Sequence, residues 1–253
     1  MPEATALRVL LVEDDASIRR FVALALEGEP LQLTMAESLA QARARLADGG
    51  VDVVIADLML GDGSGMDLLE ELGARPGVRR IAFSAGIDRT TRARLGAMGV
   101  TDVLSKPVSL AALHEAVSRA RAAARQDGAA GGAASLGGEP DPPAAGAEAA
   151  AVERYFGGER ALYLLYRQQC LAQFDADLRH GDAFVASGDA VAMRRLAHSL
   201  KSVLTMLGDE QGGACARALE ERAAAADAPA TAAGWRDLAA RLRALRAGPN
   251  DTA

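Results

Sequence analysis

The chain has 253 residues, half of them hydrophobic and a quarter charged, so it can bury a core and is long enough for two small domains. Its net charge of −6 argues against a general nucleic-acid binder, which would carry a basic surface. The two cysteines do not have metal-ligand spacing, and the sequence shows neither a signal-peptide pattern nor an apolar run long enough to span a membrane. These features predict a cytoplasmic protein that binds neither nucleic acid nor membrane.

Strand and helix patterns alternate in the N-terminal part of the chain. The predicted strands are residues 8–12, 31–35, 51–56, 81–84 and 103–105. Apolar residues at helical spacing predict helices at residues 17–26, 38–46, 66–72, 90–98 and 110–124. Strands that alternate with helices predict a parallel sheet covered by helices on both faces, and such sheets place their sites at the carboxyl ends of the strands.

Polar side chains follow several of these predicted strands. They are Glu13, Asp14, Asp15, Asp57, Ser84 and Lys106. Clustered carboxylates repel one another unless a cation binds, and a small oxygen-seeking cation such as Mg²⁺ would suit them. A lysine and a hydroxyl beside that cation could hold further oxygens of an anionic ligand. The set therefore predicts a phosphoryl group carried on a carboxylate.

Four motifs in this order, VLLVEDD, VVIADLML, FSA and LSKP, resemble the receiver domain of bacterial two-component response regulators. The resemblance implies a flavodoxin-like (βα)5 domain in residues 1–124 with Asp57 as the phosphoacceptor. The Mg²⁺ ligands that it implies are Glu13, Asp14, Asp57 and the backbone carbonyl of Met59. The side chains that it implies for phosphoryl oxygens are Ser84 and Lys106. Asp15 lies one place beyond the family's acidic pair and ranks below it.

The motifs depart from the common receiver pattern at four positions. Val103 stands where many relatives have an aromatic residue, so we expect no output through an aromatic switch. Gly61 stands where proline is common, which predicts a looser loop after Asp57. Met59 and Gly86 lie at positions that influence hydrolysis in the family, and neither side chain can hydrogen-bond an attacking water. We therefore predict slow loss of phosphate from Asp57.

A composition shift divides the chain in two. The glycine-, alanine- and proline-rich run QDGAAGGAASLGGEPDPPAAGA predicts a flexible linker over residues 125–147. Beyond it there is no strand pattern. The predicted helices are residues 149–156, 159–187, 189–208, 211–226 and 235–247. Amphipathic helices with short connections predict an antiparallel four-helix bundle.

His198 lies in the helix predicted between Asp189 and Gly208. The apolar stripe of this helix consists of Met193, Leu196, Ala197, Leu200, Val203, Leu204 and Leu207. The neighbours of His198 one turn away are Arg194, Arg195, Lys201 and Ser202. His198 is off the stripe, so we expect its ring to face water in a basic setting that would stabilise a phosphoryl group. Periodicity alone leaves open that it is an idle, solvated histidine.

The stretch AHSLKSVLTMLG is similar to the phosphohistidine motif of histidine-containing phosphotransfer (HPt) domains. The resemblance implies an all-α HPt bundle in residues 148–248, with His198 as its phosphoacceptor and Lys201 as support. Ser202 replaces the glycine beside which a partner receiver docks, and a leucine there should block transfer. His114 and His180 match no motif and are expected at the surface.

Together the two resemblances imply an intermediate in a two-component phosphorelay. Asp57 would accept a phosphoryl group from a partner phosphohistidine, and His198 would carry one to or from a receiver aspartate. The expected partners are a sensor histidine kinase and a receiver domain of this chain or another regulator, since no ATP-binding kinase box is found. Two alternatives remain, a phosphate sink without onward transfer and a phosphorylation-gated protein-binding module.

Overall fold

The structure, a computed structural model, describes residues 6–74, 77–124 and 146–247, which form two compact units. Residues 125–145 of the predicted linker lie outside the described residues. Its last residue, Ala147, is the first residue of a helix. Within the described parts of the chain, no helix combines the length and the apolar character needed to cross a membrane.

The first unit is built on a parallel sheet. Its strands in chain order are β1 (Leu7–Val12), β2 (Leu31–Ala36), β3 (Val53–Asp57), β4 (Met59–Leu60), β5 (Gly63–Ser64), β6 (Arg79–Ser84) and β7 (Asp102–Ser105). Five of them form the sheet in the order β2-β1-β3-β6-β7, whereas β4 and β5 pair as a separate antiparallel hairpin. Every residue of β3 is buried, as expected for a central strand covered on both faces. The predicted parallel sheet is confirmed.

Helices connect these strands. They are α1 (Ala16–Ala25), α2 (Leu39–Ala47), α3 (Gly65–Glu71), α4 (Arg89–Ala97) and α5 (Leu110–Ala124), with a 3-10 turn at Leu72–Ala74. Asp15, Ser38, Ser64 and Asp88 each cap the following helix by accepting a hydrogen bond from its first turn. These caps fix where each helix starts and therefore how the chain leaves the carboxyl edge of the sheet.

The second unit is helical over its described residues. Its helices are α6 (Ala147–Phe156), α7 (Arg160–Ser187), α8 (Ala190–Met206), α9 (Glu210–Ala224) and α10 (Ala228–Ala247). Helix α8 packs chiefly against α9, and α10 packs against both α7 and α9. A Cβ on Gly181 would lie 2.1 Å from the Trp235 ring, so this glycine lets α7 and α10 approach closely. The arrangement agrees with the predicted bundle.

Helix α10 begins at Ala228, well before the residue 235 that the sequence predicted. Asp227 accepts a hydrogen bond from the backbone N–H of Ala230 at 3.0 Å and so caps the helix. Pro229 fits the first turn, where no N–H partner is required. The apolar period starts only later, at Trp235, and this is why a prediction from periodicity missed the first two turns.

Candidate functional sites

Charged side chains from three strand ends meet at the carboxyl edge of the sheet. The ammonium Nζ of Lys106 lies 2.8 Å from Asp57 Oδ2 and 2.5 Å from Glu13 Oε2. All three side chains are buried. Ser84 is also buried and ends the neighbouring strand β6, where its carbonyl accepts a hydrogen bond from the Lys106 backbone N–H at 2.8 Å. The strand order thus brings four of the predicted site residues to one edge.

Glu13, Asp14 and Asp57 form what we call the acidic cluster, in which one carboxylate oxygen of each lies within 4.8 Å of the others. Burial raises the pKa of Glu13 to about 8, although the charge of Lys106 opposes the rise. Burial and the Asp57 carboxylate also raise the pKa of Asp14. A single lysine therefore does not balance the cluster, and its oxygen donors are of the kind that Mg²⁺ prefers.

The loop after Asp57 is held by backbone hydrogen bonds. The N–H of Met59 donates to Asp57 Oδ1 at 3.0 Å, and Met59 pairs with Ser64 across the β4–β5 hairpin. A Cβ on Gly65 would lie 1.8 Å from the Asp57 carbonyl oxygen, so only glycine permits this close return of the chain. This hairpin has strands of only two residues each, which are too short to leave a periodic pattern in the sequence.

Asp62 ties the same loop to helix α2. Its carboxylate accepts hydrogen bonds from the backbone N–H groups of Leu39 at 2.9 Å and Ala40 at 3.1 Å. These bonds lower the pKa of Asp62 even though burial acts in the opposite direction. The loop that we expected Gly61 to loosen is therefore anchored one residue later in this structure.

Asp15 has a structural role in the described fold. Its side chain accepts a hydrogen bond from the backbone N–H of Ile18 at 2.9 Å and caps α1. The carboxylate is thus directed to the start of the helix.

A second polar site joins α8 to α9. His198 Nδ1 lies 2.8 Å from Glu220 Oε1, and Lys201 Nζ lies 2.6 Å from Glu220 Oε2. Burial would raise the pKa of Glu220, but the hydrogen bonds from His198 and Lys201 outweigh it and lower the pKa to about 2. A carboxylate can only accept, so Nδ1 carries a proton, and in the neutral form of the ring Nε2 then has the lone pair.

One expectation about this site is wrong. His198 is only 6% exposed, so its ring does not face water in this structure. The reason is that α8 buries a second face against α9, where a Cβ on Gly213 would lie 2.5 Å from Thr205 Oγ. Because that face of α8 carries polar residues, its burial cannot be predicted from the spacing of hydrophobic residues. Ser202 is 1% exposed, and its place in a docking surface stays a prediction.

Glu220 was not singled out from the sequence. It lies one turn from the buried residues Ala216 and Ala223 of α9. A carboxylate beside this buried stripe was the one sequence feature that could have pointed to Glu220 as a site residue. The other histidines take no part in either site. His180 is exposed, whereas His114 is half-buried with Nε2 2.6 Å from the Ala25 carbonyl oxygen.

Two family models match the chain. Residues 9–118 match the response regulator receiver domain, and residues 161–248 match the Hpt domain. One match lies within each of the two compact units.

Curated relatives match the first unit. The KDP operon transcriptional regulatory protein KdpE of Escherichia coli (strain K12) is 35% identical over 121 residues, which is 48% of this chain and 52% of KdpE. The acid tolerance regulatory protein ActR of Sinorhizobium medicae is 34% identical over 39% of this chain and 52% of its own length. The chain thus spans about half the length of these curated relatives.

Among solved structures, the signal receiver domain of an HD domain-containing protein from Pseudomonas fluorescens Pf-5 is similar at 25% identity and a TM-score of 0.47. The match covers 50% of this chain and 95% of that one.

Proposed function

We propose that this chain, which contains a response regulator receiver domain and an Hpt domain, is a two-component phosphorelay protein whose phosphoryl carriers are Asp57 and His198. The observation that carries the proposal is the convergence of Lys106, Glu13 and Asp57 at the carboxyl edge of a parallel sheet. Asp57 is flanked there by a buried cation and by acidic groups that suit a second one.

At Asp57 the proposed step is an in-line displacement. A carboxylate oxygen of Asp57 attacks the phosphorus of a phosphohistidine on a sensor kinase or another partner. The new O–P bond forms as the P–N bond breaks, and the imidazole nitrogen keeps the bonding pair. Lys106 supplies positive charge beside the transferred oxygens, and Ser84, buried at the end of the neighbouring strand β6, would supply a neutral hydroxyl donor.

The acidic cluster and the Met59 carbonyl are the groups that would hold Mg²⁺. The support for this assignment is the set of three carboxylates and the raised pKa values of Glu13 and Asp14, which show that the cluster favours additional positive charge. When bound, such a cation neutralises charge that develops on the phosphoryl oxygens.

At His198 the nucleophile is Nε2. Its lone pair attacks the phosphorus of an aspartyl phosphate, the P–O bond breaks, and the carboxylate leaves. Glu220 accepts a hydrogen bond from the Nδ1–H group and stabilises the positive charge that develops on the ring. Nε2 is buried in this structure, so the ring or the groups that cover it must move before it reacts.

The test is phosphate occupancy in the full chain, with acetyl phosphate and Mg²⁺ as donor and a phosphate-affinity gel as readout. Acid and base lability distinguish phosphohistidine from phosphoaspartate. We expect Asp57→Asn to abolish labelling and His198→Gln to remove the acid-labile fraction. Asp67→Asn and His180→Gln are matched controls, since both residues are exposed and belong to the same two domains.

Three outcomes are informative. Acid-labile phosphate that depends on both Asp57 and His198 supports transfer between these two residues. Labelling of Asp57 with none on His198 favours a gated binding module or separate partners. Full labelling of the Asp57→Asn variant at another carboxylate would contradict the assignment of the phosphoacceptor.

A further inference from the structure

Ser202 is a buried serine whose hydroxyl has no hydrogen-bond partner among the described residues. A hydroxyl inside a helix usually donates to the carbonyl four residues earlier, and Thr205 does so to the Lys201 carbonyl oxygen at 2.9 Å. Ser202 does not make the corresponding bond to the His198 carbonyl. Its hydrogen-bonding capacity is therefore available, in a place from which water is largely excluded.

The ring of His198 carries a second unpaired atom. Nε2 is buried and has no partner within the described parts of the chain, because Glu220 binds only Nδ1. Residues four apart share a helix face, and side chains lean towards the helix N-terminus, so the Ser202 hydroxyl leans towards the turn that carries His198. Buried polar atoms without partners are rare, and two on one helix face indicate a ligand that would satisfy them.

We propose that the Ser202 hydroxyl donates a hydrogen bond to the phosphoryl group carried on His198 Nε2. This rests on the proposed function of His198 as a phosphoryl carrier. Phosphoryl oxygens are strong hydrogen-bond acceptors. At the position four residues after the histidine, a serine supplies a hydrogen-bond donor that a glycine lacks. Loading requires the ring to move so that Nε2 is uncovered, and the phosphoryl group then lies over the turn between His198 and Ser202.

The consequence is a longer-lived phosphohistidine. The hydrogen bond stabilises the resting phosphohistidine and holds the phosphoryl group against the helix, so this bond must be lost before water can attack the phosphorus in line. Hydrogen bonds to charged groups are strong enough that losing one should change the decay rate about tenfold. The serine therefore makes this domain hold its phosphoryl group longer than it would with glycine at the same place.

The test uses the full chain with Asp57→Asn, so that the receiver takes no label, and phosphoramidate as the donor. Nε2 displaces ammonia from phosphorus, and after the donor is removed the decay of phosphohistidine is followed by ³¹P NMR. We expect Ser202→Ala and Ser202→Gly to shorten its half-life about tenfold. Ser199→Ala is the matched control, because Ser199 is half-buried and lies on a different face of α8. Thermal melting followed by circular dichroism checks that each bundle stays folded.

The outcomes separate this inference from the proposed function. Phosphohistidine that forms normally and decays at the parent's rate in both Ser202 variants would overturn the role of Ser202 and leave His198 as a carrier. Equal acceleration by Ser199→Ala would also overturn it. If the parent shows no phosphohistidine that His198→Gln removes, the proposed function of His198 and this inference both fail.

Discussion

Lys106 Nζ lies 2.8 Å from Asp57 Oδ2, and both side chains are only 2% exposed, so the two residues form a buried ion pair. Glu13 shares the same ammonium group at 2.5 Å. One lysine therefore holds two buried carboxylates. Removal of one partner from such a pair is costly because an uncompensated charge stays buried.

Lys106→Met should lower the free energy of unfolding of the receiver domain by about 3 kcal/mol. Mg²⁺ should restore part of this loss, since a divalent cation in the acidic cluster can replace the missing positive charge. The measurement is urea unfolding followed by circular dichroism, with and without Mg²⁺. The chain's one tryptophan, Trp235, lies in the Hpt domain, so its fluorescence reports on the other domain and should show no shift.

Arg20→Met is the control for loss of a cation, because Arg20 is exposed on α1. A Lys106→Met variant that is as stable as the parent without Mg²⁺ would mean that the carboxylates do not depend on this lysine. A loss of stability that Mg²⁺ leaves unchanged would count against a cation site at the cluster.

Glu220→Gln should slow phosphorylation of His198 by about tenfold to a hundredfold. The amide no longer requires a proton on Nδ1 and gives less stabilisation to a positively charged ring. The measurement is the initial rate of phosphohistidine formation from phosphoramidate in the Asp57→Asn chain. Glu221→Gln is the control, since Glu221 is the exposed neighbour. Equal rates for the two variants would show that Glu220 does not position the ring.

Acid should remove the stabilisation that Glu220 provides. Its pKa in the folded protein is about 2, below the ordinary value of 4.5, so this stabilisation is present above about pH 4.5 and is lost as pH falls towards 2. Its upper limit is about 3 kcal/mol. We expect the difference in unfolding free energy between the parent and Glu220→Gln to be large at neutral pH and to shrink steadily below pH 4.5. Urea unfolding followed by Trp235 fluorescence measures it, and a difference independent of pH would contradict the assignment.

The sheet and its acidic edge could be predicted from the sequence because a simple rule connects them. β-branched runs mark the strands, parallel strands have their carboxyl ends at one edge, and polar residues directly after these strands therefore lie along that edge. Asp57 and Lys106 are 49 positions apart in the chain, yet each is placed by its own strand. The β4–β5 hairpin follows no such rule, since two-residue strands leave no periodic pattern.

The histidine site was less predictable because its geometry depends on how α8 and α9 pack. The apolar stripe showed which face of α8 points into the bundle, but it carried no information about the polar face against α9. One compositional signal was available. The chain has only two lysines among its 28 lysine and arginine residues, and each lies at one candidate phosphoacceptor. Lys106 binds the Asp57 carboxylate, and Lys201 binds the Glu220 carboxylate, which also contacts His198.

Asp62→Ala should release the loop after Asp57 from α2. Loss of the two hydrogen bonds from the first turn of α2 should cost about 1 kcal/mol of stability. It should also speed hydrogen exchange of the Leu39 and Ala40 amides. Because Met59 belongs to the same loop, we expect weaker Mg²⁺ binding as well. Amide exchange and Mg²⁺ titration measure the two effects.

Asp67→Ala is the control for Asp62→Ala, since Asp67 is an exposed acid in the first turn of α3. Asp62→Asn retains an oxygen acceptor, so its amide exchange rates and its Mg²⁺ affinity should lie between those of Asp62→Ala and the parent. Unchanged amide exchange in Asp62→Ala would show that the hairpin alone holds the loop.

Phosphate on Asp57 should be lost slowly, with a half-life of minutes or longer, because neither Met59 nor Gly86 can orient an attacking water through its side chain. Gly86 has a φ of 82°, so a side chain there would be strained, and Met59 is the better position for a test. Met59→Asn adds an amide that can hydrogen-bond water and should shorten the half-life several-fold. The measurement is decay of label after acetyl phosphate is removed, in the His198→Gln chain so that no phosphoryl group moves to the Hpt domain. Met35→Asn, on an exposed methionine of β2, should decay at the parent's rate. A half-life of seconds in the parent would show that other groups position the water.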